Sequence, residues 1–502
     1  MPRQNYFFIG FSLLCIGYAC YLFNPFQLYF LNDDFIHIPL SKQGVLFQRN
    51  SFRPVGDLSI RMDYLLWGKQ AWGYHFTNLL LHLFNTVFVF LLTKTLFKKY
   101  TLGNHVSLKA WMVSIIFFVY AFHSESIFWI IGRSGTLGSI FFLLSLLFYL
   151  YRNNALGYFI LSLASFIIGL LAYESVWIFP LAALVFSWVD YSLTKKSGKK
   201  EWFYLATVFV VFMTILFIRK QVIGEVVGGY EGINFNQFNV GVLALNFIKL
   251  TGRIFIPPVS SQSILLISCV FLLAIIIVVT VILKSRRKIS GSNYFLPLIV
   301  GLLFLSLIPY LSLGIDTHSV EGERYLYLPS IFASIALVTL IHLLVSSAQF
   351  QMALFAIVVL YNLYFLKQSA VAYKTASAIT KTAITQVNLL EGKKRVFVDS
   401  LPQTIKGALI FRLGFEEGIE WLKTPGSVDS VIILSLKKIN DFSYGAYQAQ
   451  IFLDQQPIFS GQVLVKDPSQ KQTYLTERRA LNVNAATDAW LVFYNNRLQV
   501  VK

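Results

Sequence analysis

Charged residues and cysteines are scarce in this chain of 502 residues. Only 13% of the residues are charged, whereas 56% are hydrophobic and the mean hydropathy is +0.63. Soluble globular proteins carry about 25% charged residues, so this composition excludes an ordinary soluble domain. Cys15, Cys20 and Cys269 lie inside apolar runs, which argues against a disulfide framework and a thiolate metal site. The chain is therefore expected to be a polytopic membrane protein.

Acidic residues are the minority among the charged residues. The chain has 24 Asp and Glu against 42 Lys and Arg, a formal net charge of +18. In a soluble protein this excess would suggest nucleic acid, but here the cations collect in short loops between apolar runs, where they act as orientation signals. We expect a lipid bilayer as partner and no nucleic acid.

About eleven apolar runs are long enough to approach the thickness of a hydrocarbon core, which needs roughly 17 to 25 residues. They fall near residues 6–23, 75–97, 108–122, 135–151, 155–172, 175–190, 202–218, 261–283, 294–314, 325–346 and 351–367. The first run lacks a convincing small-residue cleavage site and is expected to be a retained anchor.

Three cationic loops predict the orientation. Residues 98–109, 190–201 and 284–288 are separated by even numbers of runs, so they share one face, which should be cytoplasmic. The N-terminus is then cytoplasmic, and the chain after the eleventh run lies on the outer face.

Residues 368–502 have a different pattern from the apolar runs before them. Short alternating stretches such as "RVFVDSL", "DSVIILSL", "AQIFLDQQPIFSGQVLV" and "AWLVFYNNRLQVV" are separated by Asn, Gly and Pro turns, and "FEEGIEWLK" (415–423) favours a short amphipathic helix. We predict a transmembrane domain over residues 1–367 and an outer α+β domain over 368–502. A structural cap or binding module is the expected role of the second domain.

Two adjacent carboxylates, Asp33 and Asp34, follow the first apolar run. In an extended chain neighbouring side chains point to opposite sides, so one can face a cleft while the other caps a helix or pairs with an arginine. A partly desolvated carboxylate has a raised proton affinity, which suits a general base. Convergence of Asp33, Asp34, His123 and Glu125 on a divalent cation is the rival interpretation. Because no ligand spacing supports it, no metal site is assigned and the cation is left open.

Four segments carry a resemblance to a known family. They are "FRPVGDLSIRMDYLLWGKQAWGYHFTNLLLHLFN" (52–85), "AFHSESIFWIIGRSGTLGSIFFLLSLLFYL" (121–150), "YESVWIFPLAALV" (173–185) and "GERYLYLPSIFASIALV" (322–338). In order and sidedness they resemble the polytopic GT-C glycosyltransferases, in particular bacterial relatives of protein O-mannosyltransferases and of transmembrane O-mannosyltransferases with tetratricopeptide repeats. No tetratricopeptide period is visible in this chain.

The resemblance implies transfer of a sugar from a polyprenyl-phosphate-linked donor on the outer face of a membrane, here a bacterial inner membrane. It implies that Asp33 and Asp34 match the family's paired acidic residues, with Asp33 preferred as base. Glu125 matches an acidic position beside the third span, where His123 would orient substrate or carboxylate. Ser124 stands where the family more often has Pro.

The departing phosphate needs a cation, and a guanidinium binds phosphate oxygens well. Arg324 is the preferred phosphate ligand, with Arg53 and Arg133 in reserve. A structural alternative is that Arg324 snorkels to lipid headgroups or pairs with Glu321 or Glu323. His75 and His318 flank outer helix ends and are candidates for contact with sugar or phosphate.

The sequence leaves the acceptor open among protein, lipid and glycan. A transporter or flippase for lipid-linked saccharides is the alternative function, and within the enzyme class a polymerase or ligase of surface polysaccharide also remains. A transporter should show repeated halves, broken spans and ionisable residues near the midplane. No repeat is visible and the ionisable residues gather at one edge, which favours the enzyme.

Overall fold

In a computed structural model the chain divides into two compact units. Unit 1 comprises Met1–Pro25, Gly44–Leu66 and Gly73–Ala370, and unit 2 comprises Phe26–Gln43, Trp67–Trp72 and Val371–Lys502. The structure describes residues 3–44, 52–100, 105–194, 199–224, 226, 239–259, 261–285, 291–424, 426–434, 444–453, 456–466, 474–484 and 486–501. Parts of the three cationic loops used for orientation, residues 101–104, 195–198 and 286–288, lie outside these ranges. The predicted domain boundary between residues 367 and 368 stays a prediction.

The chain is mainly helical. Its α-helices are α1 (Arg3–Leu22), α2 (Asp34–Lys42), α3 (Pro54–Trp67), α4 (Ala71–Lys99), α5 (Val106–Phe118), α6 (Ser124–Phe128), α7 (Arg133–Tyr151), α8 (Leu156–Leu170), α9 (Phe179–Thr194), α10 (Lys199–Ile223), α11 (Val240–Arg253), α12 (Ser261–Ser285), α13 (Gly291–Leu305), α14 (Tyr327–Leu344), α15 (Ala348–Asn388) and α16 (Phe415–Trp421).

The predicted apolar runs are confirmed as helices. Among the described residues, eight helical segments are long and apolar enough to cross a membrane, and a ninth candidate is the pair α5 and Ala121–Phe128, bent by 56°. Two shorter apolar helices, Leu156–Leu170 and Tyr294–Tyr310, coincide with the two remaining predicted runs. The chain is thus a polytopic α-helical membrane protein.

Polar side chains of α4 hold the connection between α6 and α7. The Asn78 amide donates to the carbonyl oxygens of Ile127 at 3.2 Å and Trp129 at 3.1 Å, and the Asn85 amide donates to the Thr136 carbonyl at 2.9 Å. Backbone groups left without helical partners in an apolar interior cost several kcal/mol unless they are satisfied, roughly 2–7 kcal/mol each. The polar residues inside this apolar helix therefore hold the connection between α6 and α7.

Unit 2 contains a seven-stranded sheet in the order β7-β5-β6-β4-β1-β8-β9 and a two-stranded sheet of β2 and β3. The strands are β1 (Arg395–Asp399), β2 (Thr404–Ile405), β3 (Ala408–Leu409), β4 (Ser430–Leu434), β5 (Tyr444–Leu453), β6 (Gln456–Lys466), β7 (Tyr474–Val483), β8 (Asp488–Tyr494) and β9 (Arg497–Val501). Strand β1 pairs in parallel with β4 and β8, and α16 lies in the crossover from β1 to β4. The predicted C-terminal α+β region is confirmed.

Aromatic side chains join α2 to α16 inside unit 2. The Trp421 ring lies 5.0 Å from Phe30 and 6.4 Å from Phe35, measured between ring centroids. Phe30 and Phe35 are almost fully buried. Burying such rings stabilises the contact by about 1.5–3 kcal/mol for each side chain. This packing anchors the segment that follows α1 to the C-terminal part of the chain.

Candidate active site

Glu125 and Arg324 form a partly buried ion pair in unit 1. The Glu125 carboxylate on α6 is 1% exposed and lies 3.2 Å from Arg324 Nη1. It also accepts hydrogen bonds from the backbone N–H groups of Gly322 at 3.0 Å and Arg324 at 3.1 Å. These three donors satisfy a carboxylate that would be costly to bury alone. Glu125 therefore fixes both the backbone turn and the guanidinium of Arg324.

Arg324 is also held by aromatic rings. Its guanidinium carbon lies 4.8 Å from the Tyr325 ring centre and 5.4 Å from the Trp129 ring centre, and Nη2 donates to the Tyr325 hydroxyl at 3.0 Å. Stacking and ion pairing restrict the rotamers of a long side chain. The Arg324 side chain nevertheless remains 17% exposed.

An open cleft of about 310 Å³ borders Arg324. Its lining includes Asn246, Lys249, Asp316, Glu321, Arg324 and Tyr325. Two cations, two carboxylates and an aromatic ring thus face one space. Such a mixture suits a ligand that combines an anionic group with hydroxyl groups.

Asp316 belongs to a tight turn at this cleft. Its carboxylate accepts hydrogen bonds from the Ser319 hydroxyl and from the backbone N–H of His318, the latter at 3.0 Å. Partial burial by itself raises the pKa of Asp316, but these hydrogen bonds outweigh it and hold the pKa below its usual value. Asp316 is therefore ionised at neutral pH, and His318 is exposed beside it.

A second ion pair lies directly beside the first in the chain. Glu323 is fully buried and accepts hydrogen bonds from Arg253 Nη2 at 2.7 Å and from the Ser124 hydroxyl. Arg253 is also fully buried, and its Nη1 donates to the Ile256 carbonyl at 2.6 Å. Ser124 thus makes a specific contact with Glu323.

His123 lies in an aromatic and histidine cluster. It is fully buried, with Nε2 2.8 Å from the Ser330 hydroxyl and its ring centre 4.3 Å from that of Tyr327. His82 lies between the Tyr327 hydroxyl at 2.7 Å and the Phe118 carbonyl at 3.0 Å. His123 therefore packs against α14 through Tyr327 and Ser330. His75, on α4, is also buried.

The two reserve arginines bind other carboxylates. Arg133 is fully buried, with Nη1 2.5 Å from Asp63 and Nη2 donating to the Tyr74 carbonyl at 3.0 Å. Arg53 pairs with Glu174 at 2.9 Å and stacks over Tyr173 at 4.7 Å, with 18% of its side chain exposed. Of these two arginines, only Arg53 has appreciable exposed surface.

Asp33 and Asp34 lie in unit 2 and differ in their surroundings. Asp34, the first residue of α2, is fully buried and accepts the Leu31 N–H at 2.9 Å. Asp33 is 14% exposed, accepts from the Asn32 amide at 2.7 Å, and lies 3.9 Å from His37 Nε2. The two carboxylates thus do face different surroundings, and Asp33 is the accessible one.

Sequence reasoning missed three groups of polar residues. The pair Arg253 and Glu323 is separated by 70 positions, and Lys249 is the cation four residues before Arg253 on α11. His37 stands four residues after Asp33, the spacing that brings side chains together on a helix. Only the spacing of Asp33 and His37 carried a signal that could have been read from the sequence.

Within the described ranges, no group of three or more His, Cys, Asp or Glu side chains is arranged to hold a metal ion. The divalent cation left open above therefore has no candidate ligand set among these residues.

Sequence comparison shows that the chain is similar to eukaryotic protein O-mannosyl-transferases. The chain is 31% identical over 246 residues to the Xenopus laevis protein O-mannosyl-transferase tmtc2, which covers 48% of this chain and 26% of the relative. It is 34% identical over 126 residues to human TMTC2, covering 25% and 14%, respectively. The predicted resemblance is confirmed. No protein-family model matches the chain.

The chain spans about a quarter or less of the length of these curated relatives. Among solved structures, ArnT from Cupriavidus metallidurans bound to undecaprenyl phosphate aligns with a TM-score of 0.48 at 11% identity, covering 86% of both chains. AglB from Archaeoglobus fulgidus, an archaeal oligosaccharyltransferase, aligns with a TM-score of 0.45 at 12% identity, covering 86% of this chain and 65% of AglB.

Proposed function

We propose that this protein is a membrane glycosyltransferase. It transfers a hexose, such as mannose, from a polyprenyl-phosphate donor to an acceptor hydroxyl. The observation that carries the proposal is the cleft at Arg324. A lipid-linked phosphosugar presents an anionic phosphate next to a ring of hydroxyl groups. The cleft offers Arg324 and Lys249 for the phosphate, and Asp316 and Glu321 as acceptors for the hydroxyls.

The proposed role of Glu125 is to position the guanidinium of Arg324. A side chain that binds phosphate stabilises the departing charge best when it is already held in the required orientation, because the reaction then needs no reorientation of that side chain. The contacts of Glu125, Trp129 and Tyr325 hold the guanidinium in this way. Arg53, paired and stacked in a similar manner, is the remaining phosphate candidate, whereas the burial of Arg133 and His123 favours supporting roles.

Asp33 is the proposed general base. It takes the proton from the acceptor hydroxyl while the hydroxyl oxygen forms a bond to the anomeric carbon of the sugar. The bond from that carbon to the phosphate oxygen breaks, and its electron pair leaves with the phosphate, whose charge Arg324 stabilises. Attack opposite the leaving group inverts the anomeric centre. The partial exposure of Asp33 and the full burial of Asp34 support this choice.

The acceptor is proposed to be a hydroxyl of a protein side chain, because the curated relatives are named protein O-mannosyl-transferases. Lipid and glycan hydroxyls are the other acceptors that the test must include. We further propose the orientation given by the cationic loops, with the N-terminus in the cytoplasm and the sheet of unit 2 outside a bacterial inner membrane.

Sugar transfer in reconstituted vesicles tests the proposal. Purified protein is supplied with radiolabelled polyprenyl-phosphate mannose and, in separate reactions, with serine- and threonine-containing peptides, extracted lipids or glycans. Asp33→Asn should reduce kcat by about 100- to 10,000-fold, the range for loss of a general base. Asp429→Asn, which removes an exposed carboxylate, is the matched control and should transfer as the wild type does.

Labelled acceptor with an inverted anomeric linkage supports the function. Movement of the labelled donor across the bilayer without labelled acceptor would overturn it and favour the flippase. Equal kcat in Asp33→Asn and Asp429→Asn would remove Asp33 from the role of base while leaving the transferase standing.

A further inference from the structure

The turn that carries Asp33 is fixed by residues from the distant C-terminal part of unit 2. Asn32 is 2% exposed and has a left-handed backbone, with φ of 51°. Its N–H donates to the Ile410 carbonyl at 3.0 Å, and its Oδ1 accepts from the Leu413 N–H at 2.8 Å. These partners stand roughly 380 positions further along the chain. Backbone and side chain of Asn32 are thus held by one short segment, Ile410–Gly414.

The backbone of Gly414 also packs against Asn32. Its φ is +79°, and a Cβ atom at this position would lie 2.2 Å from the Asn32 carbonyl oxygen. No side chain fits at that distance, so the backbone of Gly414 lies directly against the backbone of Asn32. Glycine is required here both by the left-handed conformation and by the close approach.

The side-chain amide of Asn32 also orients Asp33 through a hydrogen bond. An amide has one acceptor side and one donor side. Because Oδ1 faces the Leu413 N–H, Nδ2 must point the other way, and it donates to Asp33 Oδ1 at 2.7 Å. The segment Ile410–Gly414 therefore determines which way the amide donor points, and the donor in turn orients the Asp33 carboxylate.

We propose that Asn32, locked by the segment Ile410–Gly414, is a positioning residue for the Asp33 carboxylate. The C-terminal part of the chain is then a component of the transfer machinery and not a separate binding module. This inference rests on the proposed function of Asp33 as base. A displacement of a catalytic group by about 1 Å can reduce a rate by about 100-fold. Loss of the contacts that hold Asn32 should therefore have a measurable effect on kcat, although these contacts do not involve the reacting atoms.

Gly414→Ala tests the inference, with Gly426→Ala as the matched control. Both glycines lie in the C-terminal part and have left-handed backbones, with φ of +79° and +85°, but nothing lies within 4 Å of a Cβ atom at Gly426. Both variants therefore carry a similar backbone strain, and only Gly414→Ala collides with Asn32. The full-length protein in vesicles is assayed for kcat, for donor KM and for amide hydrogen exchange in a peptide covering residues 29–40.

Gly414→Ala should lower kcat by about 10- to 100-fold with donor KM changed less than twofold, and amide exchange at residues 32–37 should become faster. Gly426→Ala should change neither. Equal behaviour of the two variants, or faster exchange with unchanged kcat, would overturn the positioning role.

Asn32→Gly serves if Gly414→Ala fails to fold. Glycine adopts the left-handed backbone and keeps the N–H to the Ile410 carbonyl, but it removes the amide that joins the Leu413 N–H to Asp33. It should reproduce the fall in kcat, and an unchanged kcat would overturn the inference. Absence of transfer by the wild type would instead overturn the proposed function, so the two failures are distinguishable.

Discussion

Three buried carboxylates of unit 1 and the Asp33 carboxylate of unit 2 are held in different ways. In unit 1, Arg324, Arg253 and Arg133 each bind a carboxylate that is at most 4% exposed, namely Glu125, Glu323 and Asp63. In unit 2, Asp33 is held by a neutral amide, and that amide is itself held by backbone groups. A charge inside an apolar helical bundle needs an opposite charge, whereas a more exposed carboxylate can be oriented by neutral donors and keep its own charge available.

The largest effect is expected from breaking the most deeply buried pair of unit 1. Arg253→Met leaves the Glu323 carboxylate without its guanidinium in a fully buried position. Loss of one partner of a buried pair costs about 3–5 kcal/mol. The thermal unfolding midpoint of the protein in detergent should therefore fall sharply, together with the yield of folded protein.

The double variant Arg253→Met with Glu323→Leu is the control for that prediction. Removing both charges should restore most of the midpoint, although the Ser124 hydroxyl then loses its acceptor. If the single and double variants unfold at the same temperature, the pair does not stabilise unit 1 by charge compensation.

A smaller effect is expected where the ion pair positions a side chain at the cleft. Glu125→Gln keeps the size of the side chain but removes the charge that faces Arg324 Nη1. Charge-assisted hydrogen bonds contribute about 1.5–3 kcal/mol, so donor KM should rise about 10- to 100-fold with a lesser change in the unfolding midpoint. Kinetics over a range of donor concentrations in vesicles would check this.

Arg324→Ala and the double variant Glu125→Gln with Arg324→Ala test whether Glu125 affects donor KM only through Arg324. If Glu125 acts only through Arg324, Glu125→Gln should add nothing further once Arg324 is removed. Additive losses would mean that Glu125 has a role of its own, as a base or a substrate ligand.

The fold was largely readable from the sequence because a bilayer demands long apolar helices. Each of the eleven predicted runs corresponds to a helix or a bent helix pair. The quoted C-terminal stretches became β1, β4, β5, β6, β8 and β9, and residues 415–423 contain α16. Strand β7 was missed, since the charges in "TERRALNV" obscure the alternation of its apolar residues.

The partners of the site residues were less predictable. Arg324 has acidic neighbours at 321 and 323, yet the carboxylate that holds its Nη1 comes from Glu125, 199 positions away, while Glu323 binds Arg253. Likewise Asn32 is simply the residue before the two adjacent carboxylates in the sequence, and its partners at 410 and 413 depend on the tertiary fold. Local spacing indicates which residue types are present, but long-range packing decides which of them meet.

The smallest effect is expected from the ion pair of unit 2 that solvent can reach. Arg395, 37% exposed, pairs with the buried Asp488 at 2.6 Å. Burial by itself raises the pKa of Asp488, but hydrogen bonds from Arg395 and the Asn484 N–H outweigh it and hold the pKa below the usual value. Asp488→Asn should cost only about 0.5–1 kcal/mol at pH 7, because the Arg395 guanidinium that loses its partner stays solvated and no uncompensated charge is left buried.

The pH dependence gives the sign of that contribution. A carboxyl with a lowered pKa in the folded state contributes stability above its unfolded pKa, about 3.9, and loses it as the pH falls through the lower folded value. The difference in unfolding midpoint between wild type and Asp488→Asn should therefore be constant from pH 7 to pH 5 and shrink below about pH 4. A difference that persists unchanged at low pH would mean that Asp488 stabilises unit 2 by packing and not by its charge, and the contrast with the charge-compensated pairs of unit 1 would then be sharper still.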